Sequence, residues 1–513
     1  MHLKLLALVL LLVAAPLHAR WHEAQTEHFV IYADDKAEDV EEFARQLESY
    51  HNALELLTGR EVEKLSPSNR VVIYAVGNER ELQKLVGGNR FIQGFYFSRA
   101  GFSRAFVQDV KIRRSELDFS MQVLLHEYTH HFLISQSRFN MPRWMSEGAA
   151  EFFSSAQFPR SGNVSLGRPA LHRAYELQYA TEVPIRELLD SDLYYAKKRK
   201  TYDTFYGRAW LLYHYLFFAE DRKGQMSAYT RHLLGGKKAL QAAEAAFGDL
   251  DQLDKDLDRY ARSRRMMAFT LTPDMLPPVP PITVRPLSEG QAAMMPLIIR
   301  SQKGVNREEA TKIVPDARQV AARFPDDAEV LAALAEAEYD AGDDARAIAA
   351  ADRAIKLNPQ VKNAYIQKGY ALFRQAGDAE DKEAAYKAAM APFSQLNRLE
   401  NDHPLPLIYY YRSFTARDAE PSETARHALE RAAQLAPFDQ ELWFEAGLMQ
   451  AREGKIVLAV NSLEPIAGDP HGGQSSAMAA ALIAAMKGLP EGEAFDPDPV
   501  LERSEEVVSA AAE

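Results

Sequence analysis

Residues 124–153 read LLHEYTHHFLISQSRFNMPRWMSEGAAEFF. Within them His126-Glu127-Tyr128-Thr129-His130 is a His-Glu-x-x-His motif. On a helix, residues at i and i+4 stand one above the other on the same face. Two neutral imidazoles so placed can grip one Zn²⁺. Glu127, one step round the helix, is placed to take a proton from water. A catalytic zinc also wants a third protein ligand and an open position. Downstream, Glu147 and Glu151 are again at i and i+4, so they share a face of a second short helix and offer that ligand.

The two helices are legible from local signals. Ser120 is an expected cap, and Phe119, Met121, Val123, Leu124, Leu125, Phe132, Leu133 and Ile134 supply apolar faces. Pro142 precedes the second helix, where proline is tolerated. Gly148, Ala149 and Ala150 are small enough to bring that helix close to the first.

The pattern His126-Glu127-x-x-His130 followed by Glu147-Gly148-x-x-Glu151 resembles the glutamate-zincin metallopeptidases. More narrowly, it is similar to the peptidase MA-like proteins that carry tetratricopeptide repeats. The resemblance covers roughly residues 21–265, and the repeats add most of the rest. It implies that His126, His130 and Glu147 ligate zinc, that Glu127 is the general base, and that Glu151 steadies His126 from behind. It also implies a tyrosine at the start of a later helix, donating to the oxyanion formed on the substrate. Tyr206 matches that place, with Tyr202 as the alternative. His131 lies about 100° round the helix from His130 and is expected to be structural or on the surface. His214, between Tyr213 and Tyr215, is expected to be a packed core histidine.

The chain has 513 residues, 47% of them hydrophobic, and a net charge of −12. That is enough for two or three domains with sizeable cores. Residues 491–513 carry eight acids and one base, so much of the negative charge sits at one end. Nothing in the balance suits a nucleic-acid binder. There is no Cys, which excludes thiolate metal sites, catalytic thiols and disulfides. At the N-terminus, Lys4 precedes an apolar run from Leu5 to Ala15 and then Pro16-Leu17-His18-Ala19. This reads as a signal peptide cut near Ala19. The run is too short to span a bilayer, so the mature chain is expected without a membrane span. A bacterial periplasmic or secreted location follows, the periplasm fitting better.

In order along the chain, strands are expected at residues 28–33 and 71–76, with a helix over 36–58 between them and a short one over 79–86. Residues 94–97 and 105–107 look like a strand pair running into the zinc helix. Short helical pieces follow at 168–180 and 184–190, an aromatic-rich helix over 202–216, and two helices within 240–264. Six prolines between Pro273 and Pro286 mark a stiff linker, in which Ile282-Thr283-Val284 can still pair as a strand.

The C-terminal half is periodic. Pro325, Pro359 and Pro392 are 34 and 33 residues apart; Pro404, Pro437 and Pro470 are 33 and 33 apart. A period near 34 with a closing proline is the tetratricopeptide-repeat pattern. The clearest copy holds Leu331, Leu334, Ala335, Ala347, Ala351 and Ala354; others hold Tyr409, Ala425, Leu429 and Ala432, or Trp443, Gly447, Ala459 and Leu463. Such helix pairs must stack to bury their apolar faces.

The expected architecture is therefore an α+β zincin-like catalytic domain (20–270) after a signal peptide (1–19), a Pro-rich linker (271–287), an all-α tetratricopeptide-repeat solenoid (288–490) and a disordered acidic tail (491–513). The expected function is zinc-dependent hydrolysis of a peptide or protein substrate, with a protein partner on the solenoid. The rival expectation is a non-catalytic cell-envelope scaffold whose zinc site is structural or inactive.

Overall fold

The computed structural model describes residues 21–59, 65–89, 92–110, 117–136, 141–197, 202–469 and 473–504. The signal peptide and its cut near Ala19 lie outside them. Among the described residues, no helix is long and apolar enough to cross a membrane.

The chain is mostly helical with a small mixed sheet. The sheet is built from β1 (His22–Gln25), β2 (Phe29–Ala33), β3 (Val71–Ala75), β4 (Phe95–Phe97), β5 (Arg104–Val107) and a late strand, Thr283–Pro286. Helix α1 (Ala37–Thr58) and α2 (Glu79–Leu85) join the first strands. Strands β2, β3 and β5 are parallel, and β4 closes one edge antiparallel to β5. Side chains alternate across the register. Ile31, Ile73 and Ala105 face the core packed by α1, while Tyr32, Tyr74 and Phe106 face the other way.

Helix α3 (Phe119–Gln136) and α4 (Arg143–Ser154) carry the two motifs. Ser120 is not the cap. Asp118 Oδ1 accepts from Met121 N at 2.9 Å, and Ser120 Oγ instead accepts from Gln108 N at 3.1 Å. The capping group thus stands one residue before the helix, where its carboxylate also suits the helix dipole. After β6 (Val164–Leu166) come α5 (Ala174–Tyr179), α6 (Ile185–Leu189), α7 (Ser191–Ala196), α8 (Phe205–Phe218), α9 (Gln225–Leu234), α10 (Ala239–Phe247) and α11 (Leu250–Ala261).

Gly148 serves a different neighbour from the expected one. A Cβ at this position would stand 2.5 Å from the Ala209 carbonyl oxygen and 3.1 Å from Tyr213 Cβ, both on α8. The glycine thus seats α4 on α8, and α8 is the buttress that holds Glu147 towards α3. Gly148→Ala is expected to cost about 1–3 kcal/mol by overpacking, seen as a lower urea midpoint at unchanged slope.

The Pro-rich stretch is a strap rather than a spacer. Strand β7 (Phe269–Leu271) pairs with β6, Asn52 Nδ2 donates to the Pro277 carbonyl at 3.0 Å, and β8 (Thr283–Pro286) pairs antiparallel with β1. Proline is admitted here because β8 is the sheet edge, where a missing N–H breaks no inner ladder.

The repeats run through α12 (Glu289–Gln302), α13 (Arg307–Arg323), α14 (Ala328–Asp340), α15 (Asp344–Leu357), α16 (Lys362–Gly377), α17 (Lys382–Leu399), α18 (Pro404–Thr415), α19 (Glu423–Leu435), α20 (Gln440–Arg452), α21 (Ile456–Ala467) and α22 (Gly473–Met486). Each helix packs on the next, and α14 also packs on α12 and α16. This is the stacking of an all-α repeat solenoid. Leu331, Ala335, Ala347, Ala351 and Ala354 are all fully buried. The proline spacing misleads at one point. Pro392 lies buried inside α17, and Pro404 opens α18. Neither closes a repeat; the period breaks because α17 runs on to Leu399. Pro470 lies outside the described residues.

The tail expected to be disordered from residue 491 is ordered at its start. Phe495 N donates to the Ala451 carbonyl at 2.9 Å, and Val500 is buried with Leu463 and Leu482. Apolar residues among the acids reseal the last helix pair. Residues 505–513 lie outside the described residues.

The repeats are docked on the sheet. Met295 and Ile299 of α12 share one apolar cluster with Tyr74 and Phe106, each such side chain contributing about 1.5–3 kcal/mol on burial. Further along, Ser98 Oγ donates to the Phe438 carbonyl at 3.1 Å, Ala100 N to Asp439 Oδ2 at 2.8 Å, and Asn69 Nδ2 to the Leu435 carbonyl at 2.7 Å.

Candidate metal centre

Helix α3 presents His126 and His130 on one face, and α4 brings Glu147 against them. The Nε2 atoms of the two rings are 3.2 Å apart. Glu147 Oε2 lies 3.4 Å from His126 Nε2 and 3.5 Å from His130 Nε2. The three donors thus form a near-equilateral triangle. A tetrahedral Zn²⁺ with bonds near 2.05 Å has a ligand-to-ligand edge of roughly 3.4 Å. The three residues therefore fit a divalent ion in both donor type and spacing. Among the described residues this is the single group of three or more such side chains with metal-binding proximity. Glu147 has no solvent exposure.

The rings are aimed by what lies behind them. Glu151 Oε1 stands 3.3 Å from His126 Nδ1, and Ser146 Oγ stands 3.2 Å from His130 Nδ1. An Nδ1–H directed to each oxygen turns the Nε2 lone pair inward. Burial works against a charged His126, but the Glu147 and Glu151 carboxylates outweigh it and raise the ring to about 10.

Glu151 is itself clamped. His172 Nε2 donates to Oε2 at 2.6 Å and Arg173 Nη2 to Oε1 at 2.5 Å. Burial alone would raise its pKa, but hydrogen bonds from His126, His172 and Arg173 hold it well below the usual carboxylate range. It is therefore charged when it faces His126. Glu151→Gln is expected to keep the fold while weakening zinc roughly 10–100-fold, measured by competition with a chelating dye.

Glu127 is half-buried and lines a cleft of about 380 Å³ together with His130, Ser146, Met141, Tyr96 and Phe438. The cleft has one wall on the edge strand β4 and another on the repeats. Tyr206 stands at the second residue of α8. Burial, then the nearby Glu147 carboxylate, pushes its pKa up to about 12, so its hydroxyl is a proton donor throughout the neutral range. The guanidinium carbons of Arg173 and Arg143 lie 4.8 and 5.8 Å from its ring centre. Tyr202 is engaged elsewhere: its hydroxyl donates to Glu176 Oε2 at 3.2 Å and its side chain is largely exposed. Of the two, Tyr206 is the one beside Glu147.

The other two singled-out histidines are structural. His131 is buried, hydrogen-bonds the Tyr96 hydroxyl at 2.5 Å and packs on Phe438; burial lowers its pKa to about 3. His214 is enclosed by the Tyr260 hydroxyl and the carbonyls of Gly167 and Met267.

Ser146, Arg143, His172 and Arg173 escaped sequence reasoning. Ser146 carried a faint signal, being next to Glu147. His172 and Arg173 reach Glu151 across 21 and 22 residues, a separation at which spacing says nothing.

Residues 120–233 match a family described as a protein of unknown function, DUF1570. That stretch runs from the second residue of α3 to the penultimate residue of α9 and holds every side chain of the centre. No curated protein matches the chain significantly. Similar solved structures include a thermophilic TPR protein of Thermus thermophilus, 14% identical, with a TM-score of 0.32, covering 37% of this chain and 97% of that one. Another is MamA from Desulfovibrio magneticus, 18% identical, with a TM-score of 0.27, covering 34% of this chain and 92% of that one.

Proposed function

We propose that this chain is an exported zinc-dependent peptidase whose repeats form part of its substrate-handling surface. The observation that carries the reading is the triangle of His126 Nε2, His130 Nε2 and Glu147 Oε2 beside an open cleft that reaches Glu127. His126, His130 and Glu147 would hold the ion. When bound, it supplies Lewis acidity for hydrolysis of a carbonyl compound. Glu127 accepts a proton from water and returns it to the leaving amine. The Tyr206 hydroxyl donates to the oxyanion that develops on the substrate carbonyl. Arg143 and Arg173, flanking the Tyr206 ring, add positive potential on that side. The leader read at residues 1–19 supports a periplasmic or secreted setting.

A second reading has support from the repeats: an envelope scaffold that binds a protein partner and holds a structural metal. A structural zinc more often has four protein ligands, whereas three side chains converge here next to a cleft. That contrast favours the peptidase.

Metal analysis of the purified protein, with digestion of a random peptide library, tests the proposal. One zinc per chain with new peptide termini supports it. A metal-loaded protein that cleaves nothing, while retaining a partner on its repeats, sinks it in favour of the scaffold.

A further inference from the structure

Three largely buried arginines near the metal centre are each matched by acid. Arg173 reaches Glu151 and Glu176, Arg208 reaches Asp254 and Asp258, and Arg222 reaches Asp256. Arg143 is not. It opens α4 one turn before Glu147, and residues at i and i+4 share a helix face. Glu147 nevertheless turns to the imidazoles, and among the described residues no carboxylate pairs with Arg143.

Aromatic rings hold the guanidinium instead. Its carbon lies 3.9 Å from the ring centre of Phe205, 4.9 Å from Tyr194, 5.4 Å from Tyr195 and 5.8 Å from Tyr206. Such stacking covers the flat face of the cation and fixes its direction, while leaving the N–H edge for an acceptor. Nε and Nη1 are sealed from solvent without a hydrogen-bond partner. Nη2 is not among the sealed atoms, and among the described residues nothing accepts from it. A half-buried cation held in place with an open, unmatched donor is costly unless an anion arrives from outside. The place it would arrive is beside the metal. The Tyr206 hydroxyl feels both Glu147 and Arg143, so one side chain separates the cation from the triangle of ligands.

We propose that Arg143 determines substrate specificity, its Nη2 donating to a carboxylate carried on a substrate residue beside the scissile bond. The proposal rests on the peptidase reading and deepens it: the substrate class is peptides with an acidic group at the cut. An extended chain advances about 3.3 Å per residue. A carbonyl held at the Tyr206 hydroxyl therefore puts an adjoining residue within reach of Arg143. The carboxylate can be an Asp or Glu side chain or the free end of the peptide, and both bring the same chemistry.

The test reads binding apart from hydrolysis. A synthetic random decapeptide library, made once as free acids and once as C-terminal amides, is passed over immobilised, zinc-loaded Glu127→Gln protein. Retained peptides are sequenced by mass spectrometry. Acidic peptides are expected to be enriched roughly tenfold or more over their Asn and Gln counterparts, the gain from a hydrogen bond between charged groups. Enrichment that survives in the amides assigns the carboxylate to a side chain; enrichment confined to the free acids assigns it to the C-terminus. Adding Arg143→Met, an unbranched side chain that suits the aromatic cage, is expected to bring the acidic-to-neutral ratio to about one. A merely structural arginine would lower retention of all peptides alike and leave that ratio unchanged, which overturns the proposal. So does a wild-type ratio near one in both libraries. Should Arg143→Met fail to fold, Arg143→Gln is read in the same way. If an Arg143-dependent preference is found but wild-type protein cleaves nothing, the carboxylate site stands and the peptidase reading falls. If the wild type cleaves acidic and neutral peptides equally, the peptidase stands and the carboxylate site falls.

Discussion

Glu127→Gln is expected to keep about one zinc per chain and lose hydrolysis by roughly 10²–10⁴-fold, the range for removing a general base. The amide is nearly isosteric with the carboxylate, so the half-buried position at the cleft keeps its shape. Metal retention follows because Glu127 lies outside the triangle of His126, His130 and Glu147. The measurement pairs metal content with turnover of an unfolded protein substrate. Full activity in this variant eliminates Glu127 as the base. Loss of metal along with activity would instead show that Glu127 belongs to the ligand set.

Glu147→Ala is expected to have the second large effect. It removes the one carboxylate of the triangle, and zinc affinity should fall by more than the roughly 10–100-fold expected for Glu151, which acts through His126. Glu147 is fully buried against His126 and His130, so the variant is compared with metal-free wild type, and the response to zinc separates ligation from packing. Thermal midpoints with and without chelator decide this. Wild type should lose stability when zinc is stripped, by the linkage of binding to folding, and Glu147→Ala should not respond. A variant that still binds stoichiometric zinc and is still destabilised by chelator would remove Glu147 from the site.

The two motifs were readable because each is local. A spacing of four residues on a helix fixes which side chains share a face, whatever surrounds them. His126 with His130, and Glu147 with Glu151, follow from that rule alone. The alternation of Ile31 and Tyr32, or Ile73 and Tyr74, likewise marks strands with two different faces. The expected Ser120 cap and the spacer role of residues 271–287 failed for a related reason. Capping depends on where the first turn begins, and a strand at a sheet edge looks from sequence like any extended proline-containing segment.

The helix-borne pairs, the strand alternation and the repeat period were set by short-range backbone geometry, which the order of residues encodes directly. The clamp of His172 and Arg173 on Glu151, the seat of Gly148 on α8, the strap of β8 on β1, and the docking of the repeats on the sheet were set by the path of the chain. Those contacts join groups tens to hundreds of residues apart. Their partners are selected by packing and by the need to neutralise buried charge, and no periodicity announces either.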